Sequence, residues 1–157
     1  MSDFDKAFEH VIGVEGGYVH DSDDPGGETI YGITRRDHPE LWTTGRPTLA
    51  EAKMVYQHSY WEPARCDVLP WPLSLFVFDS AVNQGVGAAV KLLQRAVGTV
   101  QDGIIGNNTL AAIRKADQKS LCARFMAHRA LRYTGTRHFD KFGEGWFWRL
   151  FIIAMEA

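Results

Sequence analysis

The chain has 157 residues, a hydrophobic fraction of 45% and a formal net charge of −2 at pH 7. That length fits one compact domain, alone or with a small helical appendage. The apolar fraction excludes a disordered chain, and no apolar run reaches the length of a membrane span. In chain order, Phe4, Phe8, Val11 and Ile12 recur at the three- and four-residue spacing of an apolar stripe. They predict a first helix from about Asp3 to Glu15, capped by Ser2. Glu15 lies three residues beyond Ile12, four beyond Val11 and seven beyond Phe8, so it falls on the stripe, in the last turn. Gly16 and Gly17 then supply the open backbone that ends helices. The carbonyl end of a helix disfavours a second negative charge, and partial burial disfavours the ionised form. Both effects are expected to raise the pKa of Glu15, as a general acid near neutral pH requires. The competing reading is a helix-end carboxylate that reaches into water.

Asp21-Ser22-Asp23-Asp24-Pro25-Gly26-Gly27 has the chemistry of a turn, and Glu28-Thr29-Ile30-Tyr31-Gly32-Ile33-Thr34 has strand composition. A short hairpin or irregular β-loop, folded over the end of the first helix and extending to about Arg36, is expected. It returns Asp21, Asp23, Asp24 and Glu28 towards Glu15. Two carboxyls across a cleft, one neutral and one ionised, are the apparatus of glycosidic bond cleavage.

Thr48-Leu49-Ala50-Glu51 is a capping box opening a helix to about Tyr60, with Leu49, Ala52, Val55 and Tyr56 on one stripe. Trp61-Glu62-Pro63 ends it, and Asp67 to Pro72 is a proline-rich connection. Leu73 to Gln84 is apolar on most sides up to Val82, which predicts a central, buried helix. Asp79 within it must be paired or face a cleft. Asn83 and Gln84 at its end either hydrogen-bond a sugar's acetamido and hydroxyl groups or cap the helix. Further helices are expected at Gly87 to Val97, from Asn107 or Asn108 as cap through Lys115, at about Gln118 to Tyr133, and at about Gly145 to Ala154. Asp102-Gly103-Ile104-Ile105-Gly106 is a turn.

The small net charge hides an asymmetry. Residues 1–40 carry ten Asp/Glu against Lys6, Arg35 and Arg36, whereas residues 103–143 carry eight Lys/Arg against Asp117 and Asp140. Such a basic face attracts an anionic polymer or is a solvated helical face. Cys66 and Cys122 lack the spacing and companion histidines of a metal site or a disulfide scaffold, and two reduced thiols are expected. The six histidines show no metal-ligand spacing, and neither a Gly-x-Ser-x-Gly elbow nor a phosphate-binding loop occurs. Trp61, beside a helix end, is the tryptophan singled out as a sugar-stacking platform. The polar N-terminus suggests no signal peptide.

Several motifs together carry a resemblance. Glu15-Gly16-Gly17-Tyr18, Asp24-Pro25-Gly26-Gly27-Glu28-Thr29 and Tyr31-Gly32-Ile33 resemble the signature of the glycoside hydrolase family 108 muramidases, phage-type endolysins of the lysozyme superfamily. Tyr60-Trp61, Phe78 to Asn83, and Asp102 to Gly106 with Thr109-Leu110 resemble that family's later blocks, the last of them its C-terminal peptidoglycan-binding-like region. The resemblance implies a mainly α, lysozyme-like helical bundle with a small β-hairpin lobe. It implies one compact domain over 1–157, with a helical part from about 85 to 157 packed on it. Glu15 falls on the family's catalytic acid. T-even phage lysozymes show Glu, eight residues, Asp, five residues, Thr; Glu15 and Asp24 match the first interval, while position 30 is Ile and the nearest threonine is Thr29. The candidate catalytic set is therefore Glu15 and Asp24, with Glu28 in reserve for Asp24 and Thr29 beside it. Tyr31, Trp61, Asp79, Asn83 and Gln84 are candidate substrate contacts. No metal or organic cofactor is implied. The expected partner is bacterial peptidoglycan, with no nucleic acid and no stable membrane insertion, and the protein is expected to be a monomer. Its expected place is the host cytoplasm, with holin-type release to the wall. The rival readings are a non-catalytic peptidoglycan-binding module, a lytic transglycosylase, and a nucleic-acid binder acting through the basic helices.

Overall fold

A computed structural model describes residues 1–15, 17–20 and 27–156, with Glu15 described through its backbone alone. Asp21, Asp23 and Asp24 lie outside the described residues. Helix α1 spans Asp3–Glu15. Its cap is reciprocal: the backbone N–H of Asp5 donates to Ser2 Oγ (3.1 Å), and the Ser2 N–H donates to Asp5 Oδ2 (2.9 Å). These bonds occupy groups that the first turn of a helix leaves without partners. Phe4, Ala7, Phe8 and Val11 form its buried face, as the spacing predicts.

Three short strands follow: β1 (Val19–His20), β2 (Glu28–Ile30) and β3 (Ile33–Thr34), antiparallel in that order. Val19 faces Thr29 and His20 faces Glu28 across one pair; Thr29 faces Thr34 and Ile30 faces Ile33 across the other. The β2–β3 turn is Tyr31-Gly32, both at positive φ (51° and 74°). This is the two-residue hairpin geometry that follows strand twist. An aromatic residue is unfavourable in the left-handed region. The Tyr56 hydroxyl fixes it by donating to the Tyr31 carbonyl at 3.0 Å.

Helix α2 (Leu49–Tyr56) opens with the predicted Thr48/Glu51 capping box and continues into a π turn at Gln57–Trp61. Its buried side chains are Ala52 and Tyr56; Leu49, placed on the inner stripe by spacing, is 48% exposed because it sits in the first turn. Helix α3 (Leu73–Gln84) is buried from Leu73 through Ala81 and packs against α1, α4, α6 and α7, so it is the spine of the bundle. Helices α4 (Val86–Val97), α5 (Asn107–Lys115), α6 (Gln118–Thr134) and α7 (Phe139–Met155) complete it.

Two helix starts differ from expectation. Helix α5 is entered from Gly106 in extended backbone with no side-chain cap, and Asn107 is already helical. The turn before it is held from α4 instead. Gln94 Nε2 donates to Asp102 Oδ1 (2.7 Å) and the Ile104 carbonyl (3.0 Å), while Gln94 Oε1 accepts from the Gly103 N–H (2.9 Å). Helix α7 begins at Phe139, not near Gly145. Gly143 and Gly145 weaken its propensity in sequence. Packing compensates: the Phe139 and Phe147 rings lie 5.5 Å apart, and a Cβ on Gly143 would meet the Phe139 ring at 2.6 Å. Among the described residues no helix is long and apolar enough to cross a membrane.

Candidate active site

Glu15 is the last residue of α1, in a final turn that carries no basic residue, and β1 begins four residues later. The small sheet is thus tethered closely to the carbonyl end of α1. The Glu15 side chain and Asp24, which falls in the connection from β1 to β2, lie outside the described residues.

Glu28 is fully engaged. The Tyr18 hydroxyl donates to its Oε1 at 2.9 Å and Arg35 Nη1 to its Oε2 at 2.8 Å. The Arg46 guanidinium lies 3.6 Å from the centroid of the Tyr18 ring. The Tyr18 hydrogen bond first, and then that of Arg35, hold the Glu28 carboxyl below its ordinary range. A carboxylate stabilised in this way is a weak proton acceptor. Its position joins the approach to β1, strand β2 and the residue after β3, which is the work of a clamp on the sheet. Thr29 sits mid-strand between Val19 and Thr34 and, by strand alternation, on the opposite sheet face from Glu28. Tyr31 is half-buried at the hairpin tip.

Two candidate substrate contacts are corrected by their surroundings. Trp61 is only 5% exposed, with its ring 5.4 Å from both Phe4 and Phe78 in edge contacts, so no face is left for a sugar. The π turn at the end of α2 rotates it inwards. Asp79 is completely buried and paired: Arg129 Nη2 lies 2.7 Å from its Oδ2, and Arg149 donates to its Oδ1 from Nε (3.0 Å), with Nη2 in ion-pair distance of the same oxygen (2.8 Å). Both carboxylate oxygens are taken by cations, and none remains for substrate. Of the two sequence alternatives for Asp79, pairing holds.

Asn83 and Gln84 are half-buried at the end of α3 and border a cavity of about 180 Å³ with Arg132, Tyr133, Thr136 and Trp146. Their amide oxygens serve the fold. The Tyr133 hydroxyl donates to Asn83 Oδ1, and Ser80 Oγ donates to Gln84 Oε1 at 3.0 Å. Gln84 Nε2 is buried and makes no hydrogen bond among the described residues. Tyr133 stacks on Trp146 at 5.1 Å and accepts from Arg129 Nη2 at 3.3 Å, so the Asp79 pair and the Asn83 amide belong to one chain of hydrogen bonds. Burial keeps the Tyr133 hydroxyl protonated.

Sequence reasoning missed Arg129, Tyr133, Trp146 and Arg149 as partners at this end of α3. A signal existed: Phe125, Arg129 and Tyr133 recur every four residues, and Arg149 stands in an otherwise apolar run from Trp146 to Ile153. A charge on an apolar stripe asks for a buried counter-charge.

Comparison with known proteins bears on this arrangement. The model of the family described as glycosyl hydrolase 108 matches residues 8–85, and the model of the family described as predicted peptidoglycan domain matches residues 88–151. Among solved structures the chain is similar to SagA of Brucella abortus, with 35% identity over 98% of this chain and 92% of that one, at a TM-score of 0.80. No curated protein matches it. All the proposed catalytic and substrate-contacting residues fall in the first matched segment, while Arg129, Tyr133 and Arg149 fall in the second. The ion pairs of Asp79 therefore join the two segments.

Proposed function

Since this chain belongs to the glycosyl hydrolase 108 family and is a glycoside hydrolase of lysozyme-like fold acting on peptidoglycan, we propose that it is a muramidase of the endolysin type. It hydrolyses the β-1,4 bond between N-acetylmuramic acid and N-acetylglucosamine and so opens the bacterial wall. One observation carries this reading. Glu15, the position that resembles the family's catalytic acid, closes a helix whose inner face is core, with no cation in its last turn and the sheet directly after it.

In the proposed reaction Glu15 protonates the leaving glycosidic oxygen. A proton is favoured there because the carbonyl end of a helix carries partial negative charge, which disfavours a carboxylate. Asp24, on the connection from β1 to β2, activates water or stabilises the oxocarbenium-like transition state. Glu28, held ionised by Tyr18 and Arg35, braces the sheet that carries this connection. The protein acts as a monomer and waits in the host cytoplasm until a holin-type release brings it to the wall.

Purified sacculi digested by the protein and analysed by mass spectrometry test the reading. New reducing ends on N-acetylmuramic acid are expected. Anhydro-muramyl ends would make the enzyme a lytic transglycosylase, reducing N-acetylglucosamine ends would move the cut to the other glycosidic bond, and no new ends would leave a binding module.

A further inference from the structure

The basic residues of the second matched segment do not form one uniform face. Arg129 is buried against Asp79 and unavailable to any partner. Four of the nine exposed Lys/Arg of this segment stand on two facing ridges. On α4 these are Lys91 and Arg95, and on α6 they are Arg124 and Arg132 with the half-buried His128 between them, each set at four-residue spacing. Between the ridges runs a groove of about 400 Å³, lined among others by Lys91, Arg95, Gln101, His128 and Arg132, and by no Asp or Glu. Burial, then Arg95 and Arg124, hold the His128 imidazole below its ordinary pKa, so Arg124 lies within electrostatic reach of the groove.

Spacing and concave shape set this cluster apart from a solvated helix face. Like charges four residues apart destabilise the helices that bear them. In the acidic stretch of residues 1–40 every Lys and Arg is paired: Arg35 with Glu28, Arg36 with Asp37 and Lys6 with Asp3. Lys91, Arg95, Arg124 and Arg132 have no such ion pair among the described residues. A concave site rimmed by unneutralised cations attracts an anion that enters it. Ala88 and the buried Leu92 make its floor apolar, the exposed Leu131 adds apolar surface, and Gln101 offers an amide. A cationic rim, an apolar floor and an amide suit a short acidic peptide better than a bare inorganic anion.

We propose that the α4–α6 groove is a binding site for the peptide stems of peptidoglycan, with Lys91, Arg95 and Arg132 taking their free carboxylates. This rests on peptidoglycan being the partner, and it adds a second contact on the peptide, separate from the glycan-cleaving residues at the end of α1. Such a contact would hold the enzyme on peptide-bearing wall and favour it over bare glycan.

The test is an NMR titration of the full-length ¹⁵N-labelled protein with the free stem tetrapeptide L-Ala-γ-D-Glu-meso-diaminopimelate-D-Ala. Shifts centred on the backbone amides of Lys91, Arg95, His128 and Arg132 are expected. The triple variant Lys91→Gln/Arg95→Gln/Arg132→Gln should weaken binding by about tenfold, the combined effect of three exposed charge contacts. The charge-conserving variant Lys91→Arg/Arg95→Lys/Arg132→Lys should bind within about threefold of the parent, the range open to one exposed contact. Peptide with amidated carboxylates should bind as weakly as the neutral variant shows. The idea is overturned by absent or scattered shifts, by a folded Gln variant that binds like the parent, by amidated peptide that binds equally well, or by poly(glycerol phosphate) displacing the tetrapeptide as the preferred ligand. Release of reducing ends from sacculi is followed in parallel. Its absence would end the muramidase reading, while the titration alone decides the groove.

Discussion

Arg129 reaches from α6 to α3 and sets its Nη2 2.7 Å from Oδ2 of Asp79, with both side chains fully buried. Arg149 closes on the other oxygen from α7, so a single carboxylate fixes three helices and joins the two matched segments of the chain. Two buried guanidinium groups depend on one anion. Removing it leaves uncompensated charge in the core, which costs about 3–5 kcal/mol. Asp79→Asn is therefore expected to lower the melting temperature by about 10 °C or more, given the size scaling of melting temperature with stability. Calorimetry or circular dichroism measures this. A shift under about 3 °C, within the range of an ordinary surface substitution, would show that the bridge does not hold the helices together.

Glu15→Gln is expected to abolish hydrolysis of sacculi while leaving the melting temperature within a few degrees of the parent. The loss should reach at least about a hundredfold, the low end for general acid catalysis. Near-normal turnover by the folded variant would remove Glu15 as the acid.

Asp24 and Glu28 should separate in two measurements. Asp24→Asn is expected to cost activity with little change in stability. Glu28→Gln breaks the clamp of Tyr18 and Arg35 on the sheet, so it should lower stability and activity together. If Glu28→Gln lost activity at unchanged stability, and more of it than Asp24→Asn, the second catalytic role would pass to Glu28.

The pH response of Glu28 follows from the same clamp. Its folded-state pKa lies below the unfolded one, chiefly through Tyr18 and then Arg35. The clamp's stabilisation is thus present above the unfolded pKa and is lost as pH falls through the folded one. Tyr18→Phe removes the larger cause and should move the Glu28 titration, followed by carbon NMR of its carboxyl, upwards towards the ordinary glutamate range. An unchanged midpoint would deny the hydrogen bond in solution.

His128 carries the same sign, in the histidine range. Burial, then Arg95 and Arg124, depress its pKa, so the folded protein resists a proton that the unfolded chain accepts. Its contribution is favourable above the ordinary histidine range and is lost as pH falls through it. Arg95→Gln should raise the His128 midpoint in a proton NMR titration, and saturating tetrapeptide should raise it in the parent protein. No movement in either case would place Arg95 too far from the ring to matter.

What the sequence determined is what neighbouring residues decide. The Ser2 and Thr48 caps, the stripe of α1, the span of α3 and the placement of Glu15 at a helix end all follow from contacts within one or two turns, which periodicity and capping chemistry encode directly. The Asp-Pro-Gly-Gly turn and the strand-like run after it likewise announced a β-lobe. Tertiary structure alone decided which charges are internal. Asp79 finds its partners 50 and 70 residues away, and Arg129, one of eight basic residues in a stretch that reads as a cationic face, is removed from that face entirely. It also turned Trp61 into the aromatic core, started α7 upstream of two helix-weakening glycines, and set Lys91 and Arg95 opposite His128 and Arg132. The reason is physical. Spacing along a helix fixes which residues share a face, but the partner of that face depends on where the chain reverses and which helix returns beside it, and a buried charge persists only where that return brings its counter-charge within hydrogen-bonding distance.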